Sequence, residues 1–218
     1  MFKFKKYILF FLILIFNFNV VNATPLVNKD WLKHKICNDN IKVLEVHRSK
    51  KDYELAHIPC SIFTNFYLDG WRETRKKMPL LMPSKSTLEA LIGSLGISNS
   101  DYVIIVAPGL GKYDMSEAAS IYFTFKYLGH KNISILNGGL KSWKEDWDND
   151  IETGFSVPQE NAYNSEINNN IIANKEDILE VISKKGYLID ARSSAMYMGI
   201  NSSYPSLRSG TIPNSINI

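Results

Sequence analysis

Residues 28–47, NKDWLKHKICNDNIKVLEVH, are echoed at 174–192 by NKEDILEVISKKGYLIDAR. Each copy opens on an asparagine, passes through an apolar-periodic stretch and closes on a short aliphatic run that ends at an acid. Each is then followed by the pattern Ile-Pro-x-Ser-Ile, at 58–62 and again at 212–216. A unit written twice must fold twice by the same physics, so this repetition constrains the architecture more than any average property of the chain. Asn28 and Asn174 are placed to cap the first turn of a helix, with Asp30 and Asp177 in its positive first turn. KVLEV and YLIDA are apolar almost throughout, the pattern of a parallel strand covered on both faces. The second copy carries a longer loop, NSSYPSLRSG at 201–210, which costs little on a surface.

The first copy continues where the second stops. Ser84 or Ser86 is expected to cap TLEALIGSLG (87–96), with Glu89 completing a capping box and Gly96 ending the helix. YVIIV (102–106) reads as a buried strand, and DMSEAASIYFTFKYLG (114–129) as a helix with Asp114 and Glu117 in capping-box spacing. ISIL (133–136) is a further strand, NGG (137–139) a turn, and LKSWKEDW (140–147) a helix with Trp143 and Trp147 one above the other. RETRKKMP (72–79) reads as a solvated loop. Strands alternating with helices in this rhythm predict an α/β fold, a parallel sheet flanked by helices. One complete domain is expected at 25–155, a linker at 156–170 and the beginning of a second domain at 171–218.

The N-terminus stands apart. Lys3, Lys5 and Lys6 precede an unbroken apolar run from Tyr7 to Phe16, and VNA at 21–23 offers small residues for cleavage, the layout of an export signal. The run is short of the about 20 residues that a bilayer span takes; extending it to Val21 as an anchor would bury Asn17 and Asn19. A periplasmic or secreted protein cleaved after Ala23 is expected, with no stable membrane insertion afterwards. Those three lysines match the formal net charge of +3, so the remainder is close to neutral and shows no nucleic-acid stripe.

The order VLEV, YELAHIPCS, LLMPSKSTLEALIGSLGIS, YVIIV and FKYLGHKNISILNGGLKSW resembles the first domain of the two-domain rhodaneses, the thiosulfate and mercaptopyruvate sulfurtransferases. YLIDARSSAMYMG and RSGTIPNSINI resemble the opening of their catalytic domain, whose usual form is Asp-x-Arg, a loop, then His-Ile-Pro-Gly-Ala. The resemblance implies an exported enzyme that moves sulfane sulfur from a small sulfur-containing anion, thiosulfate or mercaptopyruvate, to a thiophilic acceptor through a cysteine persulfide, with no cofactor. A thiolate of this kind is held by loop amides and a helix N-terminus. In the first domain that loop falls at APGLGKYD (107–114), which contains no cysteine. In relatives the first domain is the silent one, so the nucleophile is expected in the second domain beyond Ile218, and no catalytic residue within the chain. A non-catalytic rhodanese-like module that binds a partner or an anion is the alternative.

Arg192, at the family's Asp-x-Arg position, is a candidate substrate-anion ligand, weighed against a structural ion pair; His47 stands at the matching place in the first copy. Arg208, in the longer loop, is a second candidate ligand, weighed against a solvated loop arginine. The two cysteines, Cys37 and Cys60, lie outside the reactive loop, and Cys60 replaces the glycine of the family's His-Ile-Pro-Gly pattern. Both fall near one edge of the sheet, where they form either a disulfide or two small buried thiols. His57 and Cys60 make only half a metal-ligand set, and GLGK (109–112) lacks the spacing of a phosphate loop.

Overall fold

The computed structural model of the chain describes residues 23–111, 113–202 and 208–218. The expected export signal, Ala23 apart, lies outside the described residues. In chain order the first part runs β1 (Leu26–Val27), α1 (Lys29–Lys33), β2 (Ile41–Val46), α2 (Lys50–Leu55), β3 (Ile62–Thr64), β4 (Glu73–Arg75), β5 (Met78–Leu81), α3 (Lys85–Ser94), β6 (Tyr102–Val106), α4 (Asp114–Tyr127), β7 (Ile133–Leu136) and α5 (Gly139–Lys144). The later part holds α6 (Lys175–Ser183), β8 (Leu188–Asp190), α7 (Ser194–Tyr197) and β9 (Ser215–Asn217).

Five strands form one parallel sheet in the order β1-β7-β6-β2-β3. Because side chains alternate across a strand, successive residues of the central strands enter two separate cores. Leu44, Val46, Val103, Ile105, Ile133 and Ile135 pack under Ile92 of α3 and Ile121 and Phe125 of α4. Val43, Ile104, Val106 and Leu136 pack on the other face with Leu32 of α1 and Leu140 and Trp143 of α5. The near-continuous apolar runs follow from this double coverage.

Caps fall largely where the sequence places them. Asn28 accepts from the Trp31 amide, Ser84 from that of Thr87, and Asn174 forms a full capping box with Asp177. Glu89 does not complete a box; it accepts the Ser165 amide at 2.6 Å and pairs with Lys85. Residues 72–79, expected as a loop, belong to the antiparallel hairpin β4-β5. The helix carrying Trp143 ends at Lys144, leaving Trp143 buried and Trp147 95% exposed rather than stacked.

The expected linker is packed along the first domain. Asn161, Glu166 and Asn168 donate their amides to the carbonyls of Gly93, Leu128 and Tyr127, and Tyr163 is buried in the larger core. Gly129, with φ +76°, lets this strap lie flush: a Cβ there would stand 2.2 Å from the Glu166 carbonyl oxygen. In the later part, β8 and β9 form a parallel pair. Its register, Ile189 opposite Ile216 and Asp190 opposite Asn217, matches that of β2 and β3, where Leu44 faces Ile62 and Glu45 faces Phe63.

Candidate functional site

In a parallel α/β sheet ligands are taken up beyond the carboxyl ends of the strands, so the loop after β6 is the place to look. Its base is fixed by α5. Leu140 and Lys141 donate their amides to the Ala107 and Pro108 carbonyls at 2.8 and 3.1 Å. Gly139 makes this approach feasible, since a Cβ at that position would lie 2.2 Å from the Ala107 oxygen. Above the base, the Leu110 and Gly111 amides converge on one oxygen, Asp114 Oδ2, at 2.9 and 2.8 Å. The loop therefore presents two of its amides to an internal carboxylate, and Asp114 serves here rather than as a capping-box residue. Lys112, the last residue of the GLGK stretch, lies outside the described residues.

A cavity of about 420 Å³ opens beside this loop, lined among others by His47, Arg48, Asp114, Lys141 and Lys144. Arg48 is committed to Glu117, itself 5% exposed, through Nε at 2.9 Å. That ion pair, chiefly its hydrogen bond, holds the Arg48 guanidinium above its usual range. Among the described residues no group of three or more His, Cys, Asp or Glu is placed to hold a metal ion.

The acid in each repeated strand reaches the start of the Ile-Pro turn, through a backbone amide in one copy and a side-chain hydroxyl in the other. Glu45, fully buried, accepts the Ile58 amide at 2.6 Å on Oε1 and meets His47 Nε2 at 2.8 Å on Oε2. Asp190 accepts Thr211 Oγ1 at 2.9 Å and is gripped by Arg192, two residues on, through Nε and Nη2 at 2.9 and 2.6 Å. Arg192 Nη2 also donates to the Gly210 carbonyl at 2.9 Å. The arginine, first among the causes, holds the Asp190 carboxyl well below the usual carboxylate range. Of the two readings of Arg192, the structure displays the ion pair, at the edge of a cavity of about 470 Å³ that Asp190, Gly210 and Thr211 also line. Arg208 is exposed and does not line that cavity.

Cys37 and Cys60 are joined as a disulfide, with their Cα atoms 5.3 Å apart. Both residues are exposed, so the reading of two buried thiols does not hold. Cys60 sits in a β-turn closed by the Ser61 amide on the Ile58 carbonyl at 3.1 Å, with Pro59 at its first central position and φ 59° at Cys60. Proline followed by a positive φ defines a type II turn. Ile212 to Ser215 repeats it, with Asn214 at φ 66° and a closing bond of 3.2 Å. The family's glycine suits this left-handed position, and cysteine takes it here while cross-linked. The bridge lies at the amino ends of β2 and β3, whereas the amide loop follows the carboxyl end of β6, at the opposite end of the same parallel sheet.

Asp114 and Glu45 are the residues that sequence reading left without their roles. The repeat did carry a signal for Glu45, since both copies place an acid in that column; nothing in the loop sequence shows that Asp114 folds back on it.

The Rhodanese-like domain family matches residues 28–146, and the chain belongs to that family. A thiosulfate sulfurtransferase of Rattus norvegicus is 26% identical over 208 residues, covering 88% of this chain and 68% of its own. The sulfur carrier protein TtuD of Thermus thermophilus is 31% identical over 206 residues, with the same two coverages of 88% and 68%. Against the thiosulfate sulfurtransferase of Cricetulus griseus the match spans 61% of the relative's length. Among solved structures, SseA of Escherichia coli, described with the 3-mercaptopyruvate sulfotransferases, superposes with a TM-score of 0.71 at 22% identity, over 89% of this chain and 74% of that one. That likeness shows the rhodanese fold.

Proposed function

We propose that the chain is the supporting part of an exported sulfurtransferase that carries sulfane sulfur from thiosulfate or mercaptopyruvate to a thiophilic acceptor as a cysteine persulfide. The sulfur-bearing cysteine is one that residues 1–218 do not supply. The observation that carries this reading is the placement of the two cysteines: they are bonded to each other at the amino ends of the strands, away from the loop after β6, whose Leu110 and Gly111 amides converge on a carboxylate. The relatives named thiosulfate sulfurtransferases support the class of reaction. The register shared by β2-β3 and β8-β9 supports a second rhodanese-like unit beginning after residue 171. In that unit Arg192 sets Asp190 and the Ile-Pro turn in place and is the candidate for meeting the donor anion. The basic, apolar leader and the disulfide both fit an oxidising compartment outside the cytoplasm.

The alternative, a rhodanese-like module that binds without catalysis, draws on Asp114, whose carboxylate already takes two of the loop amides. One experiment separates the two. Protein ending at Ile218 and protein from the same gene read beyond it are each treated with thiosulfate, weighed intact by mass spectrometry and assayed for thiocyanate formation from cyanide. The enzyme reading expects a one-sulfur adduct and turnover only in the longer protein, on a cysteine after Ile218. An adduct on Cys37 or Cys60, or no adduct in either protein, sinks it.

A further inference from the structure

The segment that leaves the first domain is tied back to the cysteine-bearing turn. His57 and Glu152 exchange backbone hydrogen bonds of 3.0 and 2.9 Å, and the Gly154 amide donates to the Glu54 carbonyl at 2.8 Å. A third tie is a side chain: Glu152 Oε2 accepts the Cys60 amide at 2.9 Å. Glu152 lines a cleft of about 460 Å³ together with both cysteines, His57 and Gln159.

The direction of the Cys60 N–H is not free. It belongs to the central peptide of the turn, and in a type II turn that peptide is oriented opposite to its sense in a type I turn. Type II requires a positive φ at Cys60, a conformation that glycine and asparagine take readily and cysteine does not. Type I accepts any residue there and keeps proline at the preceding position. The cross-link to Cys37 and the hydrogen bond to Glu152 are the features of Cys60 that hold the observed turn against this preference. Without the cross-link the central peptide is biased to flip, and the Cys60 N–H turns away from Glu152.

We infer that the Cys37–Cys60 bridge is a thiol–disulfide exchange site for a dithiol, and that its reduction switches the 58–61 turn and loosens the Glu152–Gly154 segment. In the exchange, one thiolate of the dithiol attacks a bridge sulfur and the other bridge sulfur leaves as a thiolate. The second thiol of the dithiol, as its thiolate, then attacks the first, closing the dithiol's own disulfide and expelling the attacked bridge cysteine as a thiolate. The dithiol loses two protons and two electrons in becoming a disulfide, and Cys37 and Cys60 gain them as thiols. The exposure of both cysteines leaves the bridge open to attack.

The test uses the full chain in its oxidised form, treated with dithiothreitol without denaturant and trapped with iodoacetamide. Both cysteines are expected to be alkylated in the folded protein. Amide hydrogen exchange at position 60 and at Gly154 is then expected to rise at least about tenfold, with the core strands unchanged. Cys37→Ser with Cys60→Ser should reproduce the reduced state. Cys37→Ser with Cys60→Gly, which lacks the bridge but suits the left-handed turn, should keep the slow exchange of the oxidised protein. A bridge that yields only on unfolding overturns the inference, as does exchange that is the same in oxidised and reduced protein, or a Cys60→Gly pair that exchanges as fast as the serine pair.

Discussion

Glu45 Oε1 receives the Ile58 backbone N–H at 2.6 Å, so a fully buried carboxylate on β2 fixes the start of the Ile-Pro turn thirteen residues along the chain. Its second oxygen holds His47, also buried, at 2.8 Å. Glu45→Ala leaves an amide and an imidazole without their acceptor in the smaller core and should lower unfolding stability by about 3 kcal/mol. Glu45→Gln keeps one acceptor oxygen and should lose about 1 kcal/mol. Urea unfolding followed by tryptophan fluorescence measures both, and equal losses would show that the hydrogen bond to Ile58 is not what the side chain provides.

The disulfide closes a loop across a sequence separation of 23 residues. Restriction of the unfolded chain over a loop of that length stabilises the fold by about 3 kcal/mol. Replacing both cysteines by serine should remove that amount in urea unfolding. Pairing Cys37→Ser with Cys60→Gly should recover about 1 kcal/mol of it, because glycine relieves the left-handed backbone.

His130 makes the strap sensitive to acid. Its Nε2 lies 3.0 Å from the Asp101 carbonyl, to which it donates, and in the neutral ring Nδ1 is left to accept the Tyr163 hydroxyl at 3.2 Å. Burial, the leading cause, holds its pKa below the ordinary 6.5, and burial likewise pushes the Tyr163 phenol up, so that it stays a donor. The folded state therefore binds the proton less tightly than the unfolded state. The associated stability is complete above pH 6.5 and is lost as pH falls from there through the lower folded value. Between pH 7.5 and about 5, melting temperature should fall more steeply in the wild type than in His130→Gln. An imidazole titration midpoint at or above 6.5, read by NMR, would contradict this.

Asp114 holds two loop amides with one oxygen. Asp114→Ala should lower stability by about 2 kcal/mol, the scale of hydrogen bonds to a charged acceptor. It should also let sulfate raise the melting temperature of the variant beyond any effect on the wild type, because the released N–H groups lie next to a helix N-terminus. Equal sulfate effects on both proteins would show that the carboxylate and a free anion do not compete.

Much of the sheet was legible because its strands are covered on both faces: KVLEV, YVIIV and ISIL have no polar side to confuse the period. β1 escaped notice because two residues, Leu26 and Val27, are too few to carry a pattern. The hairpin β4-β5 escaped because its turn is made by Lys76 and Lys77 at positive φ, where Asn-Gly or Gly-Gly would have announced it. The strap was hidden by its asparagines, whose composition suggests a linker although Tyr163 and Ser165 are buried. At the site, the repeat marked the acid column of Glu45 and Asp190, but the reach of Asp114 back to Leu110 depends on loop geometry that no spacing encodes. The disulfide stood as one of two readings because proximity of two turns is a tertiary fact.

The close fit of Gly139 under the Ala107 carbonyl has a practical side for anyone wishing to engineer the loop after β6. A longer, cysteine-bearing segment cannot simply be spliced in after β6, since its foundation is shared with the opening turn of α5 and leaves no room even for a methyl group. Transplanting a nucleophile there would mean rebuilding 137–141 at the same time, and the smaller core resting on Leu140 and Trp143 would have to move with it.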